Sequence, residues 1–155
     1  MINSAFILFL IASVAAAETQ TDIEYERVGD LSLKLDLHTP QAANPPLIVY
    51  VHGGAWRGGS KSDVPIAKLI EHGFAIASVD YRLSTQAPFP AQIQDIKAAI
   101  RFLRAKAELF HLSTSRIAII GSSAGGHLAA LVGVTNGNKV LEGTIGEHLS
   151  QSSDV

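Results

Sequence analysis

Three apolar runs constrain what this chain can fold into more than any other feature: LIVYV at residues 47–51, FAIASV at 74–79 and IAII at 117–120. None shows polar alternation, so a strand built from any of them needs cover on both faces. That is the condition of a parallel sheet sandwiched by helices. The spacers suit such an arrangement. In residues 90–110, Ile93, Ile96, Ile100, Leu103, Ala107 and Phe110 recur at steps of three and four and line one stripe of a helix. Asp95, Lys97, Arg101, Arg104, Lys106 and Glu108 mostly fall off that stripe, and Pro90 sits where a first-turn proline is tolerated. DVPIAKLIEHG, at 63–73, reads as a shorter helix closed by Gly73. Upstream, IEYERV and LSLKLDL alternate as half-wet strands, and TPQAANPP is a loop because paired prolines oppose both helix and ladder. Strand–helix alternation without an internal repeat or linker predicts one α/β domain.

Residues 5–17, AFILFLIASVAAA, stand apart. The run is shorter than the roughly 20 apolar residues of a membrane span, and it ends in an A-x-A pattern before polar residues. Residues 1–17 therefore read as a secretory signal peptide, with the domain at 18–155 and a secreted or periplasmic location. A net charge of -2 and the lack of any basic run leave no electrostatic footprint for nucleic acid. With no cysteine, disulfides, thiolate metal sites and a thiol nucleophile are excluded. The six histidines lack an HExxH-type spacing, so neither metal nor other cofactor is implied.

GSSAG, residues 121–125, matches G-x-S-x-G with Ser123 at its centre. The motif has weight because a strand-like run precedes it and an alanine-rich helical run follows. A strand reversing sharply into a helix crowds the positions two before and two after the turn residue, which accounts for Gly121 and Gly125. The serine hydroxyl is then presented at a helix N-terminus, where backbone N–H groups favour developing negative charge. Ser122 lacks the symmetric glycine flanks. VHGGAW, residues 51–56, follows the apolar run at 47–51, and its glycines let backbone N–H groups approach a ligand oxygen.

HGGAWRGGSK, DYRLSTQAPFPAQIQDIKAAIRFL and RIAIIGSSAGGHLAAL, in that order, resemble the α/β-hydrolase superfamily, and within it the bacterial esterase/lipase branch related to hormone-sensitive lipase. The resemblance implies an α/β-hydrolase fold, a mostly parallel sheet with helices on both faces. It makes Ser123 the nucleophile and the N–H groups of Gly54, Ala55 and Ala124 the oxyanion hole. Gly53, Gly121 and Gly125 support the turns, and His52 is a structural hydrogen-bonding residue behind the oxyanion loop. Ala55 stands where the family has a third glycine. Asp80, Tyr81 and Arg82 resemble a segment that scaffolds the loop over the site. Trp56 borders the substrate pocket or packs in the core.

In this fold the triad runs Ser, then acid, then His. After Ser123 the chain offers Glu142, Glu147, Asp154, His127 and His148, none with that spacing. His127, four residues past the serine, reads as a helix residue near the site. The expectation is therefore an N-terminal part of a longer enzyme, with its acid, base and C-terminal strands beyond Val155 and the RIAII strand left as an exposed sheet edge. The implied activity is hydrolysis of a small-molecule carboxylic ester. A peptidase on the same fold, or a non-catalytic binding protein keeping the scaffold, remains open.

Overall fold

The computed structural model describes residues 17–155. The signal-peptide reading rests on residues 1–16, which lie outside the described residues. Among the described residues, five strands form one sheet: β1 (Glu18–Val28), β2 (Leu31–Thr39), β3 (Pro46–Val51), β4 (Ala75–Val79) and β5 (Ser113–Gly121), in the order β1-β2-β4-β3-β5. The three apolar runs are β3, β4 and β5, and β3 pairs parallel with both of the others. The expected parallel arrangement holds for that part alone. β1 pairs antiparallel with β2, and β2 antiparallel with β4, so the sheet is mixed. The cause is local. Only Gly29 and Asp30 separate β1 from β2, a connection too short for a parallel crossover.

Two longer helices, α1 (Ala91–Ala105) and α2 (Ala124–Val134), pack on one face, where Ile93, Ile96, Ile100 and Leu128 meet Leu35, Val49 and Ala77 in a single core. Ile48, Tyr50, Ile76 and Ser78 alternate to the other side and are buried outside that cluster. A 3-10 turn, Ala67–His72, lies against β4. It stands where the sequence suggests an α-helix. None of its side chains is fully buried, so packing adds little to hold a regular helix, and bonds such as Leu69 N–H to Ile66 O have the tighter spacing. Gly73 closes it as expected, at φ 85°. α1 also stops short of Phe110. Ser113 N–H must reach the Pro45 carbonyl (3.0 Å) to begin β5, and the chain turns back through His111 at φ 53°.

Two expectations about exposure fail. β5 ends the sheet among the described residues, the exposed edge expected of it, but it is not covered on both faces, and Ala118 and Ile120 are exposed. On α1, the polar positions expected to face water include Asp95, Lys97 and Arg101, all buried. Irregular segments cover the helix flanks and supply ionic partners. Arg82 pairs with Asp95 on one side. On the other, Glu142 in a short helix, α3 (Lys139–Glu142), takes Lys97 Nζ at 2.6 Å and Arg101 at 3.2 Å. Burial pushes the Glu142 carboxyl up, but hydrogen bonds from Lys97 and Ser153 outweigh it, and the group titrates below its ordinary value. A depressed carboxylate contributes stability above its unfolded pKa and loses it as pH falls through the folded value. Glu142→Gln is therefore expected to flatten the loss of stability below about pH 4.5, read as urea midpoints across acid pH. An unchanged acid slope in that variant would sink this assignment.

Candidate active site

β5 ends at Gly121 and α2 begins at Ala124, leaving two residues for the reversal. Ser123 takes the strain, with φ 49° and ψ -119°, a conformation that non-glycine residues rarely adopt. The turn is squeezed from both sides. A Cβ on Gly121 would strike the Gly125 carbonyl, and one on Gly125 would strike the carbonyls of Val51 and His52 at the end of β3. The two serines differ in surroundings. Ser122 Oγ accepts from Tyr50 Oη at 3.3 Å, and its carbonyl accepts from Gly125 N–H at 2.8 Å. The Ser123 hydroxyl does not cap α2 and is exposed at the helix N-terminus. Its Cβ lies against Gly53, where an added methyl group would sit 3.3 Å away, so the HGG loop and the turn are in contact.

The loop aims its N–H groups through their own peptide planes. In a trans peptide the C=O and the following N–H point opposite ways, so anchoring one directs the other. The Gly53 carbonyl accepts from His52 Nδ1 at 2.7 Å, which directs Gly54 N–H. The Gly54 carbonyl accepts from Arg57 N–H (2.9 Å) and Gly58 N–H (3.1 Å), which directs Ala55 N–H. The Ser123 carbonyl accepts from His127 N–H at 3.1 Å, which directs Ala124 N–H. Among the described residues none of these three N–H groups donates to a backbone carbonyl, so all are available to a ligand oxygen. Gly54 at φ 110° and Ala55 and Trp56 at φ 52° and 58° make the tight bend.

His52 is buried and stacks on Tyr81, with ring centroids 4.5 Å apart. Tyr81 Oη donates back to the His52 carbonyl at 3.1 Å. Burial, then the nearby Asp80 carboxylate, push the Tyr81 phenol up to about 12, so it stays a neutral donor. Asp80 Oδ1 accepts from Lys61 N–H at 2.7 Å and lies 3.7 Å from His52 Nε2. Arg82 grips Asp95 through its backbone N–H and guanidinium, and Gln92 Nε2 donates to the carbonyls of Arg82 and Ala87. Burial pushes the Asp95 carboxyl above its usual range despite Arg82 beside it. The DYR segment is thus fixed to both the HGG loop and α1.

Trp56 is 39% exposed and lies edge-on to His127, centroids 5.5 Å apart. Both line a cavity of about 280 Å³ with Ser84, Phe89, Gln92 and Leu128. Trp56 thus lies at a cavity and is not packed in the core. Sequence reasoning does not pick out Ser84, Phe89 or Gln92. It also passes over Gly59, although a Cβ there would sit 2.5 Å from both the Gly53 carbonyl and His52 Nδ1. The doubled glycine in RGGSK is the available signal. Among the described residues no histidine ring is hydrogen-bonded to Ser123 Oγ. Glu142 is engaged by Lys97 and Arg101, and His148 lies against Phe102.

A strained serine between a parallel strand and a helix, beside a glycine loop after the neighbouring strand, defines an α/β-hydrolase scaffold. Over residues 35–155 the chain matches the BD-FAE family model, and it belongs to that family. It is 34% identical over 129 residues to the esterase LipC of Mycobacterium tuberculosis, an alignment covering 81% of this chain and 31% of LipC. It superposes on a truncated carbohydrate esterase from gut microbiota with a TM-score of 0.83 at 36% identity, covering 93% of this chain and 56% of that one. The bifunctional GH43-CE protein of Bacteroides eggerthii matches at TM-score 0.80 and 39% identity, over 88% of this chain and 21% of its own. The chain thus spans about a third of the length of LipC.

Proposed function

We propose that this chain carries the nucleophile half of a serine esterase acting on small-molecule carboxylic esters. The observation that carries the reading is the contact of the HGG loop with the Ser123 turn, where the Gly54, Ala55 and Ala124 N–H groups donate to no backbone carbonyl and the carbonyls of their own peptides are anchored. Ser123 Oγ attacks the ester carbonyl, and the oxygen of the tetrahedral intermediate takes its charge against those donors. Collapse expels the alcohol and leaves an acyl-Ser123, which water then hydrolyses. The general base and its acid partner are assigned to sequence beyond Val155, in a longer polypeptide carrying this segment. The names of the similar proteins support ester hydrolysis. The test is a fluorophosphonate probe on the protein as its host makes it, followed by peptide mapping. Label on Ser123 supports the reading, and label confined to Ser122 or absent altogether refutes it.

The export reading is part of the same proposal, supported by the apolar run and the alanines at 15–17. Mass spectrometry of the protein from its native host is expected to find Glu18 at the N-terminus. An intact Met1 on a cytoplasmic product would overturn it.

A further inference from the structure

The strap that leaves the oxyanion loop at Gly53 ends at Lys61, a buried lysine with no part in the chemistry above. Its backbone N–H donates to Asp80 Oδ1 at 2.7 Å. Its Nζ reaches Asp36 Oδ1 on β2 at 2.8 Å and Asp22 Oδ1 on β1 at 3.2 Å. Asp36 is itself buried and also accepts from the Asp22 N–H at 2.8 Å, where a bulge turns Asp22 to φ 59°. One residue thus fastens the far end of the loop to two strands and to the carboxylate facing His52. The near end is fastened by His52 to the Gly53 carbonyl, and Gly59 folds directly over that bond.

An ion pair this buried is costly to maintain, and an apolar pair of similar volume often stabilises a fold as well. Its position at the loop's end gives it a second task. We propose that Lys61, held by Asp36 and bonded to Asp80, is a positioning residue that keeps the oxyanion-loop peptides aimed at Ser123. This rests on the esterase reading above. If the fastening is cut, the Gly53–Gly54 and Gly54–Ala55 planes gain freedom to swing. Those donors act most strongly on the charge of the transition state, so their misalignment lowers kcat and leaves ground-state binding nearly intact.

The experiment compares Lys61→Met, Lys61→Met/Asp36→Leu and Lys61→Arg in the protein as its host makes it. Readouts are Tm, kcat and KM on a p-nitrophenyl ester, and affinity for a trifluoromethyl ketone that mimics the tetrahedral state. Lys61→Met strands the Asp36 carboxylate and is expected to lose both Tm and kcat. The double variant removes the stranded charge and is expected to recover Tm while kcat stays about tenfold low, with KM within about twofold. Ketone affinity should fall in step with kcat/KM, and Lys61→Arg, which keeps the charge, should restore most of the loss. A double variant that regains kcat together with Tm would overturn the proposal, reducing Lys61 to a stabilising ion pair. Wild-type protein whose Ser123 is not labelled by fluorophosphonate would instead overturn the esterase reading, and this one with it.

Discussion

Ser123→Ala is expected to lower kcat by a factor on the order of 10⁶ and to abolish fluorophosphonate labelling. That factor corresponds to about 8 kcal/mol of barrier. On the proposed role the effect is large because the Ser123 hydroxyl is the group that would form the covalent bond, and no neighbour is placed to replace it. Ser122 is one residue away, yet its Oγ is turned to Tyr50 and its carbonyl is held by Gly125 N–H. Ser122→Ala should therefore cost less than about tenfold. The fold should survive Ser123→Ala, since alanine fits the space, although the positive φ at this position still disfavours any side chain. Kinetics on a p-nitrophenyl ester for both variants check this, and a Ser123→Ala protein with more than about a hundredth of the parent activity would defeat the nucleophile assignment.

Gly125→Ala is expected to cost about 3 kcal/mol of stability or more. A Cβ at this position would run into the Val51 and His52 carbonyls, both backbone, so relief requires moving α2 away from β3. That same movement parts the serine turn from the HGG loop, and labelling of Ser123 should slow even in molecules that stay folded. The identical substitution further along α2 should act the other way. Around Gly133 a Cβ meets only Val155 Cγ2 at 4.0 Å, so Gly133→Ala gains helix propensity of up to about 1 kcal/mol. Urea denaturation of both variants measures the contrast. Equal shifts of the same sign would show that backbone crowding does not govern this turn.

What can be read from the sequence is what is encoded within a few residues. Gly121, Ser123 and Gly125 form a turn whose crowding is intrinsic to its own short segment, so the strand, the bend and the helix start are all legible. The apolar runs of β3, β4 and β5 are legible because a strand in the middle of a layered fold leaves a continuous signature. Exposure of the Ala118 and Ile120 face is not, because cover on a face comes from segments far along the chain. The polar flank of α1 misleads through a similar cause. Asp95, Lys97 and Arg101 look like a solvated face until Arg82 and Glu142 arrive from other segments. Lys61 and Asp36 are far apart in the chain and form no pattern at all. The antiparallel β1–β2 pair does carry a signal, in the short link at Gly29 and Asp30.

The seat of β3 between β4 and β5 has a consequence for how the chain acquires its structure. Both partners of β3 are made after it, and β5 begins only at Ser113, so its second edge waits longest for a neighbour. Closing that non-local parallel pairing requires a large loop-entropy loss before any ladder bond repays it, which is a slow step by contact-order reasoning. In the interval on the ribosome, the PLIVYV segment is an uncharged, β-prone window with both edges bare. Nascent chains halted before Ser113 should thus be clients of hydrophobic-binding chaperones, and release from them should coincide with synthesis of the strand that leads into the serine turn.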